Sequence, residues 1–394
     1  MLRKILISLL FIITSCSSVS NKINSDLKKL EFHHYQEFLT SMNKFTDSLN
    51  VHQKLDLFLP FNDSYRISNF CYVFAHCKDV PGLKINRLNW EQKKDLYQIL
   101  INAYGALGYH QIVDIINREL ILEEMELAAR RSPLYKAKDG PNNKNWQPPL
   151  KRSHDLYNIA IFNDMKSDDI WALRFEGHHL LLNLTFKKED EKVFVSATPT
   201  FMGASPAIIP ELPKNLDKYY PRWSKEQGQQ LLYEDSLLAK KIIKSFDKKS
   251  QRQSKLAKIA GATLVGGGKV YLNHQEFAGG KSPHISYSNL SEESKLYLKE
   301  FLAKIFARQR TDFLDIDNFY KSLKNAKIAF AGSLDDDEEF YIRVQTSRFL
   351  FELLQTSNYS IESKIKANHI HSILRDLKSD FDFDILQKHL SHYH

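Results

Sequence analysis

The densest chemistry in the chain lies in two short strings, Glu176-Gly177-His178-His179 and, about 190 residues later, His369-Ile370-His371. Both sit in segments that read as strand. Successive strand side chains point to opposite faces, so His369 and His371 share one face while Ile370 enters the other, and such a pair can clamp a single metal ion. His178 and His179 face apart on a regular strand, so one is expected to be a ligand and the other to support it by hydrogen bonding. Glu352 is the lone acid in the apolar run Arg348–Leu354, and a buried carboxylate needs a cation or a partner to offset its desolvation. Imidazole and carboxylate donors suit a transition metal such as zinc, iron, copper or manganese without choosing among them. With an open coordination position the metal would serve hydrolysis or oxidation, and Glu176 and Asp376 are the candidates for proton transfer.

Other readings of the same residues stay open. A His-X-His pair also occurs on a solvated strand face, and Glu352 has Arg343, Arg348 and Arg375 as possible ion partners. Arg174 and Glu176 alternate on the face of His178, as a polar network or a salt-bridged scaffold. The alternative function is a non-catalytic binding protein whose groove, lined by Trp171, Arg174, Tyr341 and Arg343, takes an acidic or glycan ligand. A closed shell of four ligands would instead mark a purely structural metal.

The elements needed to hold these residues are legible in outline. Leu30, Phe38, Met42 and Phe45 recur at helical spacing, predicting one or two helices over Leu27–Leu59. Asn89 caps a helix carrying Leu96, Leu100, Tyr104 and Leu107, and a second carries Ile112, Ile115, Ile116, Leu120 and Leu127. Short runs rich in β-branched and aromatic residues predict an antiparallel meander over Tyr157–Phe162, Trp171–Phe175, His179–Phe186 and Val193–Ala197. Helices return over Lys225–Ala260 and Glu292–Arg308, the latter capped by Ser291. Strands over Phe340–Val344, Arg348–Leu354 and His369–Leu374 close the chain. Strand blocks separated by helix blocks imply an α+β fold, antiparallel sheet packed with helices, in a single large domain over 61–394.

Ahead of it, Arg3 and Lys4 precede an apolar run, Ile5–Ile13, too short to span a bilayer of roughly 30 Å. The box Ile13-Thr14-Ser15-Cys16 resembles that of bacterial lipoproteins, cut before an acylated cysteine. The expectation is a signal peptide over 1–15, a membrane-anchored lipid on Cys16, and a tether and helical segment over 16–60. Ser17, where an Asp would mark inner-membrane retention, points to the outer membrane facing the periplasm. Loss of residues 1–15 lowers the formal charge from +8 to +6 in a chain that is 26% charged. Without an aromatic-interleaved basic stripe this argues against nucleic acid as a partner. In an oxidising compartment Cys71 and Cys77 read as a disulfide rather than a metal clip. Gly266-Gly267-Gly268 lacks the Lys-Ser/Thr of a P-loop, Ser205 lacks nucleophile-elbow spacing, and His389, His392 and His394 form a tail without pre-organisation.

One resemblance gathers these motifs. Trp171-Ala172-Leu173-Arg174-Phe175-Glu176-Gly177-His178-His179-Leu180, then Asn183, then Ala197-Thr198-Pro199-Thr200-Phe201-Met202-Gly203-Ala204-Ser205-Pro206 resembles the signature of the uncharacterised bacterial domain-of-unknown-function family 3500. Pro81-Gly82-Leu83, Phe330-Ala331-Gly332-Ser333, Tyr341-Ile342-Arg343-Val344, Asn368–Ser372 and Arg375-Asp376 follow in that family's order, over roughly residues 65 to 390. The resemblance implies that both histidine groups and Glu352 belong to one shared pattern. It assigns no reaction. The chain departs from the family at Ser379-Asp380-Phe381-Asp382, where the pattern carries a glycine, which puts a tight turn there in question.

Overall fold

The computed structural model describes residues 28–67, 80–131, 152–214, 216–261, 282–357 and 366–382. The leader, Cys16, Cys71, Cys77, Gly266–Gly268 and the histidine tail from His389 lie outside them. The first half holds β1 (Lys28–Leu30), α1 (Phe32–Asp47), α2 (Val51–Leu57), β2 (Phe58–Leu59), β3 (Leu83–Lys84) and α3 (Trp90–Arg131). The meander follows as β4 (Asn158–Phe162), β5 (Ile170–Gly177), β6 (Leu180–Glu189) and β7 (Lys192–Ser196), then β8 (Thr200–Ala204). Next come α4 (Pro221–Glu226), α5 (Tyr233–Lys244), α6 (Lys248–Ser254), β9 (Lys255–Ala257), β10 (Ile285–Ser286), α7 (Glu292–Phe306) and α8 (Ile316–Ser322). The chain closes with β11 (Lys327–Gly332), β12 (Phe340–Gln345), β13 (Phe349–Thr356) and β14 (His369–Asp376).

The fold is α+β, one domain around a mixed, open sheet of 14 strands. Its main path runs β10-β11-β12-β13-β14-β8-β6-β5-β4-β2. Adjacent strands are antiparallel except β2 with β4 and β9 with β11, which are parallel. Among the strands absent from the sequence expectation, β8 and β11 are the longest, the others (β1, β2, β3, β9 and β10) spanning two or three residues each. Thr200–Ala204 is five residues with a glycine inside, too short a run to stand out from a loop.

Several boundaries moved for identifiable reasons. The two helices expected around residues 89–127 form and meet at a break at Gly105, ahead of Leu107, where a φ of 60° with ψ of −178° suits glycine alone. Asn89 caps it as expected, its Oδ1 accepting from Gln92 N at 2.9 Å while Gln92 Oε1 accepts from Asn89 N at 3.0 Å. Ser291 likewise accepts from Ser294 N at the start of α7. The helices expected over Lys225–Ala260 are α5 and α6 with the last two residues of α4, followed by the strand β9.

One sheet face carries the main core. Tyr35, Phe38, Met42 and Phe45 of α1 pack there with Leu96 and Ile115 of α3, Ile242 of α5, Phe301 of α7 and the inward residues of the strands. On β5, Trp171, Leu173 and Phe175 enter this core. Ala172, Arg174 and Glu176 point to the opposite face by strand alternation. No helix among the described residues is long and apolar enough to cross a membrane.

The turn at 380–382 forms without glycine. Phe381 and Asp382 have φ of 54° and 80°, a left-handed conformation that side chains adopt reluctantly. Arg66 compensates, its Nη1 donating to Phe381 O at 3.0 Å and Asp382 Oδ1 at 3.1 Å. Arg375 grips Asp380 through Nε at 2.8 Å and Nη2 at 2.6 Å.

Because Phe38 is fully buried against Trp171, Phe186 and Phe313, helix α1 belongs to the core. Phe38→Ala should lower unfolding free energy by about 3–5 kcal/mol in urea titrations; a loss below about 1 kcal/mol would mean that α1 is dispensable to the fold.

Candidate metal centre

The β5–β6 hairpin is the tightest feature of the site. Gly177 pairs with Leu180, leaving His178 and His179 as a two-residue turn rather than strand residues facing apart. A side chain at Gly177 would run into the Tyr157 ring, 2.4 Å from the position of its Cβ, so only glycine lets the hairpin close against that tyrosine. Tyr157 OH in turn donates to His178 O at 2.8 Å. His179 takes φ of 63°, and its carbonyl accepts from Gly203 N at 2.7 Å. Both histidines are buried, with their rings stacked 3.7 Å apart.

His179 turns toward β14. Its Nε2 lies 2.8 Å from His369 Nε2, and its ring centroid is 5.2 Å from that of His371. The rings of His369 and His371 are 4.4 Å apart on one face of the strand, as the His-X-His spacing requires. His371 pairs with Gly203 of β8. A Cβ at 203 would stand 2.8 Å from the His179 ring and 2.9 Å from the His371 ring. Gly203 has ordinary backbone angles, so its missing side chain serves to leave room between two imidazoles.

One ligand atom from each of His179, His369 and His371 falls within 4.8 Å of the others, the spacing of a group that can hold a metal ion. His179 is buried and the other two are partly exposed as residues, with the His371 Nε2 atom itself buried. Burial, reinforced by repulsion from His178 and Arg152, pulls His369 down to about 3. Burial also holds His179 and His371 well below the usual imidazole range, helped by like charge from the neighbouring histidines. All three are therefore neutral near pH 7, the form that coordinates a metal.

A second group joins the first through the turn. Glu119, His178 and His179 also bring ligand atoms within 4.8 Å of one another. Glu119 Oε1 lies 2.5 Å from His178 Nδ1, and Glu119 Oε2 accepts from Arg152 Nη1 at 3.1 Å. Arg152 is itself gripped in two-pronged fashion by Glu126, at 2.8 and 3.0 Å. Burial pushes the Glu119 carboxyl up, but His178 and Arg152 outweigh it and hold it below the ordinary carboxylate range. A carboxylate on Nδ1 accepts a hydrogen bond from that nitrogen's N–H, and Nε2 is then the atom of His178 left to act as a ligand. Sequence reasoning missed Glu119, although a signal existed: it follows Ile115 and Ile116 by one turn, an acid on the apolar face of a helix.

The other acids named from sequence lie elsewhere; among the described residues neither group contains Glu352, Glu176 or Asp376. Glu352 is fully buried, accepts from Tyr341 OH at 2.5 Å and stands opposite Arg343. It shares the face of His371 but sits one pleat further along, since His371 pairs with Leu354. Glu176 is held by Arg174, Nε at 2.9 Å and Nη2 at 3.1 Å, and by the Tyr65 hydroxyl. Asp376 ends the strand that His369 begins, roughly 20 Å away at about 3.3 Å per residue. There it accepts from Arg348 Nη2 at 2.9 Å, and burial pushes it up to about 6.

A groove lined by Trp171, Arg174, Tyr341 and Arg343 does not form. Trp171 is buried in the helix-side core, donating to Tyr35 OH at 2.9 Å, while Arg174 points from the opposite face and is itself buried. Residues three apart on a strand cannot line one surface.

An α+β protein with a histidine cluster at one end of its sheet is the class that this architecture and geometry define. The family model described as "Protein of unknown function (DUF3500)" matches residues 32–383, and the chain belongs to that family. No curated protein and no solved structure matches it.

The neutral imidazoles set a pH dependence. Below about 6.5 the unfolded chain protonates histidines that the folded chain keeps neutral, so the unfolded state binds more protons and stability falls with pH. For His369 the loss continues down to its folded value of about 3. Metal-stripped protein should therefore lose stability between pH 6.5 and 4 more steeply than a His369→Asn variant, by up to about 1.4 kcal/mol per pH unit. Parallel slopes in denaturant titrations would show that His369 is protonated in the fold.

Proposed function

We propose that this chain is an exported, lipid-anchored metalloenzyme of the cell envelope, with His179, His369 and His371 holding one transition-metal ion. The observation that supports this reading best is the convergence of three neutral imidazoles from segments about 190 residues apart, around a glycine whose missing side chain keeps the space open. Three neutral ligands leave a divalent ion its full charge, and such an ion polarises a carbonyl or a water for hydrolysis. Hydrolysis is favoured over a structural role because the group brings three ligands together, one fewer than the closed shell of a structural site.

The surrounding side chains have separable tasks. Gly203 and the His179 turn hold the imidazoles apart, and Glu119 orients His178 with Arg152 and Glu126 behind it. His178 is the group beside the ligands best placed to exchange a proton with substrate. That role takes the place given from sequence to Glu176 and Asp376, which belong to neither histidine group. The metal identity follows from affinity and availability rather than from this donor set, which suits zinc, copper, iron or manganese.

Elemental analysis of protein lacking residues 1–16 and the end from His389 should find about one equivalent of transition metal, lost when His369 and His371 are both changed to alanine. No metal in either sample after reloading would refute the site. In cells, the Cys16→Ser variant should leave the membrane fraction and fail to incorporate labelled palmitate; unchanged membrane association would refute the lipid anchor.

A further inference from the structure

Immediately before His369 the backbone is held from two sides by buried amides. Gln355 of β13 is fully buried on the helix side of the sheet. Its Oε1 accepts from Ser236 Oγ at 2.6 Å and from Lys240 Nζ at 2.8 Å, two residues one turn apart on α5. Its Nε2 donates to Ala367 O at 2.7 Å and Asp336 O at 3.2 Å, so every hydrogen-bonding position of the amide is used. Lys240 is locked in turn by the carbonyls of Asp335, Asp336 and Glu338, at 2.7, 3.0 and 3.0 Å. Ala367 N donates to Asp337 O at 2.9 Å, which ties the same residue to the β11–β12 connection.

Asn368 completes the clamp from the other side. Its Oδ1 accepts from Ile208 N at 2.7 Å and its Nδ2 donates to Ile208 O at 2.9 Å. Its own carbonyl accepts from Ala207 N at 2.8 Å. The side chain thus imitates a strand partner for the segment just beyond β8, the strand that carries Gly203.

We propose that Gln355 and Asn368 are positioning residues for the metal ligands, which rests on the metal site proposed above. The side-chain bonds given above go to residues other than the three histidines. Gln355 fixes the height of the chain at Ala367, Asn368 ties it to the β8 side, and together they set where His369 and His371 stand relative to His179 across Gly203. A buried amide with four partners is costly to assemble and tolerates little displacement, so it transmits the position of α5 to the start of β14. A rigid frame matters here because ligand atoms must hold their places to within about 0.5 Å for a metal to bind well.

Cobalt(II) titration tests this, since its visible bands report ligand geometry as well as occupancy. Gln355→Glu keeps acceptors for Ser236 and Lys240 but removes the N–H that holds Ala367 O. Asn368→Asp keeps the acceptor for Ile208 N but removes the donor to Ile208 O. Each should weaken cobalt binding by about 10- to 100-fold and change the visible spectrum. Ser322→Ala removes a buried hydroxyl of the far helix α8, one bonded to Thr346 between β12 and β13; it should lower thermal stability while leaving affinity and spectrum unchanged. Either substituted protein that folds carries the test alone. Parent-like affinity and spectrum in the folded variants would overturn the positioning roles and leave the metal site standing. A parent protein that takes up no cobalt would overturn both.

Discussion

The pairing of β8 with both β6 and β14 is the constraint on which the site depends. Leu180, Leu181 and Leu182 pair with Met202, Phe201 and Thr200, which anchors β8 beside the start of β6 and hence beside the His178-His179 turn. On its other edge β8 pairs Gly203 with His371. One five-residue strand thereby carries the register of the hairpin across to the last strand of the sheet. A slip of one residue on β14 would send both histidines to the opposite face and Ile370 into their place. The apolar side of the same strand guards against that slip, because Ile370 and Leu374 belong to the main core.

Burial then decides the electrostatics. Three imidazoles packed together repel protons, and burial denies them hydration, so they remain uncharged. The charges are moved one residue away. His178, next in sequence to a ligand, faces α3, where Glu119, Arg152 and Glu126 form a chain of alternating charge. The turn separates two environments that a straight strand could not: one neutral and rich in lone pairs, the other charged and fully paired.

The face of the sheet away from the main core is unusually polar for a buried surface. Arg174 with Glu176, Arg375 with Asp380, and Glu352 with Tyr341 are buried there. Removing either partner of such a pair strands a charge and costs more than the pair contributes, so each pair holds only as a whole. Glu352, the acid that looked most anomalous in the sequence, belongs to this polar lining beside the histidines.

Much of the architecture was legible from local pattern. Apolar periodicity marked α1 and both parts of α3, short runs rich in β-branched and aromatic residues marked the meander, and Asn89 and Ser291 announced their helices by side-chain chemistry that acts within four residues. The spacing His369-Ile370-His371 likewise determined that two imidazoles share a face, since strand geometry alone requires it. Tertiary structure decided the rest. That His178 and His179 form a turn depends on Gly177 packing under Tyr157, a contact between different strands. Glu119 joins His178 only because α3 crosses the hairpin tip, and Glu352 and Asp376 part from the histidines because strand register, set by pairing between distant segments, outranks proximity in sequence. Residue types and short-range spacing fixed which groups were capable of chemistry; the order and register of strands, which no local interaction specifies, selected the three that meet.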